Sequence, residues 1–233
     1  LERRPAPLAE AGEGPRSLWQ DAVDGLQFIG RTPRLLAIVA VLWLGTMFAY
    51  ASEGVAAPWA DELGQATTAV GILLAANPLG ATIGGLVIAR LVAPDRRDRL
   101  VPPLVILTLV AVLVAGLVAL VAGPGSAPFA AVVALMFLSG LASAWTIPLN
   151  VSFVQAVPSA YRGRAFGVAV SGLYGVQGIG ALAAGLAAEG VPPSGVVALS
   201  GGLGLVAVLP ALIGYRRTRG HMAATGSSGG PSA

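Results

Sequence analysis

The chain has 233 residues, of which 55% are hydrophobic and only 11% are charged. Soluble domains carry roughly a quarter of their residues as charged side chains, so this composition excludes a soluble globular domain. The sequence contains no cysteine, which excludes disulfides, thiolate metal sites and cysteine nucleophiles, and its one histidine, His221, lies in a polar tail. We therefore expect an all-α integral membrane protein that needs no cofactor and no metal.

Residues 1–33 are predicted to form a cytoplasmic linker. Apolar side chains from Leu18 to Ile29 recur at helical spacing, with polar residues between them. This pattern predicts an amphipathic helix over about residues 17–30, lying on the membrane surface before Thr32 and Pro33 turn the chain into the bilayer. The alternative is a disordered linker that carries some apolar residues. Because the sequence starts at a leucine, without a methionine, we expect it to continue a longer protein.

Six apolar segments follow, and each is long enough to cross a bilayer, which takes about 20 helical residues. Charged residues set most of the boundaries, and the turn-forming segment 123–128 divides the charge-free run 100–161 into two helices. The segments would form a six-helix bundle over residues 34–216, followed by a disordered cytoplasmic tail at 217–233. The predicted spans are residues 34–55, 66–90, 100–122, 128–156, 163–188 and 194–215.

The basic residues give the orientation of this bundle. All 14 are arginines, and with alternating spans every one of them falls on the same side of the membrane. Arginine enrichment marks the cytoplasmic side, so we expect a plasma-membrane protein with both termini in the cytoplasm. The same arginines account for the formal net charge of +3, and no nucleic-acid partner is expected. Those in the internal cytoplasmic loops include Arg96, Arg97, Arg99, Arg162 and Arg164.

Polar side chains within the spans are candidates for a binding cavity, because polar groups inside a membrane face protein or water and not lipid. In the fourth span, a stripe formed by Ser139, Ser143, Thr146 and Asn150 follows one helical face. The alternative is that such groups only form hydrogen bonds between helices and hold the bundle together. We expect a wet cavity for a small-molecule substrate, lined by Tyr50, Glu53, Asn77, Thr146, Asn150, Tyr174 and Gln177.

Glu53 is the only acidic residue inside or at the edge of a predicted span. It is a candidate site for a cation or a proton. Alternatively, it is a solvated carboxylate at the outer end of the helix, close to Trp59, which would anchor that end at the membrane interface.

Small residues recur four positions apart within several spans, which predicts close packing between helices. Surfaces that slide during a transport cycle are the alternative explanation. The stripes are Gly71 and Ala75, then Ala81, Gly85 and Ala89, then Gly140 with Ala144, and Gly167, Ser171 and Gly175.

Three segments resemble the major facilitator superfamily. Residues 18–29, followed by Arg31, Thr32 and Pro33, are similar to the central loop that leads into the seventh helix of its exporters. Residues 52–59 (SEGVAAPW) resemble the end of that helix in the branch containing enterobactin and macrolide exporters. Residues 157–167 (VPSAYRGRAFG) resemble the loop and start of the eleventh helix there. The resemblance extends over nearly the whole chain.

The resemblance implies one half of a twelve-helix bundle, the carboxy-terminal six-helix half, whose partner is the missing amino-terminal half or a second copy. It implies a secondary active transporter in the lipid bilayer that exports hydrophobic small molecules, such as drugs or siderophores, in exchange for protons. One signature residue differs: Ile88 occupies the position of an acid in the family's inter-helix motif. Of that motif, the basic cluster Arg96, Arg97 and Arg99 remains.

Other classes of membrane protein fit the sequence less well. An intramembrane enzyme would need a Ser/His pair, paired aspartates or a metal site within the bilayer, and the predicted spans contain no histidine or aspartate. A non-transporting scaffold, or the permease subunit of an ATP-driven transporter, is the remaining alternative. A permease subunit would need a cytoplasmic loop to dock its ATPase, and the longest internal cytoplasmic loop, residues 92–99, is short and charged.

Overall fold

A computed structural model describes residues 18–226, and within this range the chain is helical apart from short connections. The α-helices are α1 (Leu18–Arg31), α2 (Pro33–Tyr50), α3 (Ala56–Glu62), α4 (Thr68–Leu91), α5 (Pro94–Ala122), α6 (Ser126–Ala142), α7 (Thr146–Ala156), α8 (Arg162–Ala187) and α9 (Pro193–Gly226). Short 3₁₀ helices lie at Ala51–Val55, Ser143–Trp145 and Ser159–Tyr161.

Six of the resulting segments are long and apolar enough to cross a membrane, which confirms the all-α fold and the number of spans expected. We number them in chain order. Spans one to six are Pro33–Glu62, Thr68–Leu91, Arg96–Ala122, Ser126–Ala156, Arg162–Ala187 and Pro193–Thr218.

Three boundaries differ from the expected ones by four residues or more. Span three begins at Arg96, within the segment expected to be a cytoplasmic loop, and not at residue 100. Span one does not end near residue 55 but continues, through the 3₁₀ helix Ala51–Val55, into α3 and ends at Glu62. The expected end of span one was placed near Glu53 because this residue is charged. In the structure the carboxylate lies at an exposed position, so the helical segment continues past it. At the other terminus, α9 continues to Gly226, into the segment expected to be a disordered tail. The remainder of that tail lies outside the described residues.

Span one is the centre of the bundle. Of its apolar stretch, 61% is buried inside the structure, against 17% for span five. Leu35, Ile38 and Val41 of α2 are completely buried in a core shared with α5, α7, α8 and α9. The continuation of span one beyond the 3₁₀ helix forms the second core, in which Trp59 packs with residues of α4, α5 and α6. Burial of span one therefore fixes the position of its polar side chains relative to four neighbouring helices.

Spans two and four pack with their backbones in contact. A Cβ atom placed on Gly80 or Gly84 would lie 2.1 Å from a carbonyl oxygen of α6, and one on Gly140 would lie 2.0 Å from the carbonyl oxygen of Asn77. Small residues allow this approach, which favours helix association in lipid. The contact in span two thus uses Gly80 and Gly84, one residue before each of the predicted Ala81 and Gly85.

Helix α1 packs against the start of span five. Phe28 stacks on Tyr161 with ring centroids 4.8 Å apart and ring planes 3° from parallel. A Cβ atom on Gly25 would lie 2.9 Å from the side chain of Val168, so only glycine allows the helices to approach this closely. A helix over Leu18–Arg31 thus occupies the segment where the amphipathic helix was expected, and its Ile29 is buried in the core of the bundle. Its position on the membrane surface stays a prediction.

Candidate functional site

A cleft between span one and span two brings together three of the predicted cavity residues. Tyr50 ends α2, Glu53 lies in the 3₁₀ helix that follows, and Asn77 lies one residue before the proline inside α4. The cleft is narrow: its cavity volume of about 10 Å³ is room for about one water molecule, and part of it is open to the outside. Its other lining residues are Ala49, Ser52, Ala56, Trp59, Leu73, Leu74 and Met136.

The local backbone explains how these side chains reach one cleft. In a continuous α-helix, successive residues turn by about 100°, whereas the tighter 3₁₀ helix eclipses residues three apart. The change after Tyr50 keeps Tyr50 and Glu53 on the same side of span one. Glu53 is exposed, and Asn77 is only 6% exposed. The cleft therefore has a charged entrance and a buried polar end.

Two buried polar atoms of the lining residues have no hydrogen-bond partner among the described residues. They are Oδ1 of Asn77, an acceptor, and Nε1 of Trp59, a donor. The amide nitrogen of Asn77 donates a long hydrogen bond, 3.5 Å, to Oγ of Ser139. An unsatisfied buried polar group costs about 1–3 kcal/mol, and both of these atoms belong to residues that line the cleft. The lining residues thus carry one carboxylate, one buried acceptor and one buried donor.

The remaining predicted cavity residues lie elsewhere. Thr146 is half-buried, and its hydroxyl donates to the carbonyl oxygen of Ser143 at 3.0 Å. Asn150 is exposed on α7, while α8 carries Tyr174, which is 69% exposed, and Gln177, which is half-buried. These four residues do not line the cleft of Tyr50, Glu53 and Asn77.

The predicted stripe of span four is interrupted. The 3₁₀ helix Ser143–Trp145 changes the helical phase, so its members do not follow one straight face. Ser139 is fully buried beside Asn77, and the hydroxyl of Ser143 donates to the carbonyl oxygen of Gly140 at 2.6 Å. At this level, the polar groups of span four form hydrogen bonds within the bundle.

Comparison with known proteins identifies the family. The family model of the Major Facilitator Superfamily matches residues 18–231. The chain belongs to the major facilitator superfamily. Its members are multi-pass membrane proteins that transport small molecules and are generally not enzymes. No curated protein and no solved structure matches the chain.

The sequence interpretation of this superfamily member missed the burial of Trp59 beside the cleft. An interface anchor was expected at this position, but the side chain is completely buried and lines the cleft. The signal that could have located it is the charge-free run 54–60, which continues the helix beyond Glu53. Asn77 and Trp59 then form the inner end of the cleft together.

The arginines of the internal loops have different local roles. Arg97 caps the C-terminal end of span two, because its Nε and one Nη donate to the carbonyl oxygens of Val92 and Ala89, both at 2.9 Å. These carbonyls have no partner within a helix that ends there. Arg96 and Arg99 are exposed, as is Arg162.

A polar pocket of about 280 Å³ lies between α1 and the start of span five, where Arg164 is half-buried. It is lined by Asp24, Gln27, Phe28, Arg31, Tyr161 and Arg164. Within the described part of the chain, no group of three or more histidine, cysteine or acidic residues could hold a metal ion.

Proposed function

We propose that the chain is the carboxy-terminal half of a secondary active transporter of the plasma membrane. It exports hydrophobic small molecules, such as drugs or siderophores, in exchange for protons, and both of its termini are cytoplasmic. The observation that carries this proposal is the cleft in which Tyr50, Glu53 and Asn77 converge between spans one and two. Polar groups collected inside a membrane protein mark substrate and ion pathways.

The cleft supports a division of roles among its residues. Glu53 is the acid at the entrance, which binds the exchanged proton or a positively charged group of the substrate. Tyr50 and Trp59 supply aromatic surface for an apolar substrate when the cleft, which has room for about one water in this structure, widens to admit it. Oδ1 of Asn77 then accepts, and Nε1 of Trp59 donates, a hydrogen bond to the substrate, so each gains a partner when the substrate is bound.

The exposed polar residues support a second half. Span five is the least buried of the six candidate spans, and it carries the exposed Tyr174 and the half-buried Gln177. On α7, Asn150 is exposed and Thr146 is half-buried. Because polar groups in a membrane face protein or water, we propose that these four residues line a central cavity. Either a missing amino-terminal half or a second copy of this chain covers it.

Efflux from cells tests the function. Cells that express the membrane protein containing this chain are loaded with ethidium, a macrolide or a catecholate siderophore, and retention is measured with and without a proton uncoupler. We expect uncoupler-sensitive export of at least one probe. Glu53→Gln and Asn77→Leu should reduce export about tenfold or more without lowering abundance. Asp61→Asn, an exposed acid at the end of α3, is the matched control and should export normally.

Two results would contradict these assignments. Export of none of the probes above the level of control cells would remove the proposed substrate class. Export unchanged in both cleft variants would remove the cleft as the binding site. An immunoblot against the carboxy-terminal tail tests the second half separately. A band near twice 23.2 kDa in denaturing detergent indicates a twelve-helix protein. A band near 23.2 kDa indicates a six-helix product, which would need a second copy to cover the cavity.

A further inference from the structure

The outer end of span one is held by contacts with other helices. Helix α3 has 7 residues and is separated from α2 by the 3₁₀ helix Ala51–Val55. An isolated helix of this length is not stable, because the cost of its first turn is not recovered. The position of α3 therefore depends on what it contacts, and α3 carries Trp59, one wall of the cleft.

Glu62, the last residue of α3, is bound to the start of span six. Its Oε2 accepts a hydrogen bond from the backbone N–H of Ser194 at 2.8 Å, and its Oε1 accepts one from Oγ of Ser194 at 2.5 Å. Ser194 is completely buried and is the second residue of α9. A carboxylate at this place satisfies N–H groups that lack a partner within the helix and interacts favourably with the helix dipole. The hydrogen bonds are charge-assisted, which makes them stronger than neutral ones.

A second contact holds the same end from another side. The carbonyl oxygen of Leu63, the residue after α3, accepts a hydrogen bond from the backbone N–H of Gly125 at 3.0 Å. Gly125 lies in the turn between spans three and four and has a φ of +155°. The end of α3 is thus joined both to span six and to this turn.

The side chain of Trp59 makes no hydrogen bond with the described residues. Its Nε1 is buried without a hydrogen-bond partner, and its ring is fully buried beside Asn77 and Met136 at the cleft. Trp59 lies three residues before Glu62, one turn earlier on the same side of α3. The packing of α3 and the anchor at its end therefore set the position of the indole.

We propose that Glu62 is a positioning residue for the cleft: by binding Ser194, it holds α3 against span six and keeps Trp59 in place as the cleft wall. When this anchor is removed, α3 moves away from the cleft, which opens and loses the shape that binds substrate. The effect on transport rests on the proposed function, whereas the effect on the opening of the cleft does not.

The absence of cysteine from the sequence allows a test without substrate. Ser52, which lines the cleft and is 4% exposed, is replaced by cysteine. Its rate of labelling by a small charged methanethiosulfonate reagent is then measured in membranes. Glu62→Ala should raise this rate about tenfold, because two charge-assisted hydrogen bonds are lost. Asp61→Ala, which changes the neighbouring exposed acid, should leave the rate unchanged.

Rescue and kinetics separate positioning from a general loss of stability. Glu62→Gln should restore slow labelling in large part, because its amide can accept from the N–H of Ser194 and donate to Oγ. In ethidium export, Glu62→Ala should raise KM about tenfold with little change in kcat, since the anchor does not touch the substrate. If Glu62→Ala fails to accumulate, Ser194→Ala replaces it. This variant removes one of the two hydrogen bonds and should give smaller increases in the labelling rate and in KM.

Unchanged labelling of Ser52→Cys in both anchor variants would overturn the proposal. If labelling accelerates but the parent protein exports no probe, the proposed function fails and the positioning role stands. If the parent exports ethidium and labelling does not change, the positioning role alone fails.

Discussion

Replacing a glycine of span two by alanine tests the backbone contact between spans two and four. We compare Gly80→Ala with Gly71→Ala on the same helix. A Cβ atom at residue 80 would lie 2.1 Å from the carbonyl oxygen of Phe137 and 2.7 Å from the backbone nitrogen of Leu141. No atom lies within 4 Å of one placed at residue 71. Alanine is the better helix former at both positions, so this gain largely cancels in the comparison.

The expected difference follows from the packing alone. A carbon–oxygen contact needs about 3.3 Å, so the helices must separate by about 1 Å at Gly80. The obstacle there is backbone, which does not move aside as a flexible side chain does. Overpacking costs about 1–3 kcal/mol, and we expect the upper end of this range. For a protein of this size, 3 kcal/mol corresponds to a midpoint lower by roughly 6–12 °C.

Thermal unfolding in detergent measures this difference. The two variants are purified in parallel, and their apparent midpoints are recorded at one heating rate, because membrane proteins often unfold irreversibly. We expect Gly71→Ala to unfold at or slightly above the midpoint of the parent and Gly80→Ala well below it. Equal midpoints for the two variants would refute the backbone contact between spans two and four.

Three further predictions concern other contacts. Trp43→Phe should lower the free energy of unfolding by about 1 kcal/mol, since Nε1 of Trp43 donates to the carbonyl oxygen of Ala169 at 3.0 Å; an unchanged thermal midpoint would contradict this bond between α2 and α8. Arg97→Gln should lower the free energy of unfolding by about 1 kcal/mol, because the C-terminal end of span two loses its cap. The same change at the exposed Arg96 should not, and equal effects of the two changes would contradict the capping role of Arg97. Single cysteines test the proposed topology: Ser126→Cys should react with an impermeant maleimide added to intact cells and Ser159→Cys only after lysis, and the reverse pattern would invert the bundle.

The fold could be predicted from the sequence because two simple features, the length of each apolar run and the placement of the arginines, are enough to define it. Apolar runs of sufficient length and arginines confined to alternate loops determine the number and order of spans. The end of span one was wrong because Glu53 was taken as a boundary. A charge at an exposed position does not end a helix when the following segment, here α3 with Trp59, buries apolar surface.

The site was harder to predict, because helical faces were extrapolated through segments that are not regular α-helix. The 3₁₀ helix at Ser143–Trp145 rotates Asn150 away from Ser139. The face with Tyr50 and Glu53 was anticipated from their spacing, and Asn77 across the cleft was predicted too, but Trp59, the next lining side chain of span one, was not. The contact between Glu62 at the end of α3 and Ser194 could not be predicted from a local pattern, because the two residues are 132 positions apart in the sequence.

Span five combines the least apolar composition with the least burial of the six candidate spans. During synthesis, a segment of modest hydropathy enters the lipid less readily than its neighbours. Its main contacts are with span one, made long before it, and not with span six, which packs on spans one and three. Span five therefore packs on a helix that is synthesised four spans earlier, and a hydrogen bond from Trp43 to Ala169 joins the two. Until span five has been made and packed, Nε1 of Trp43 lacks this acceptor.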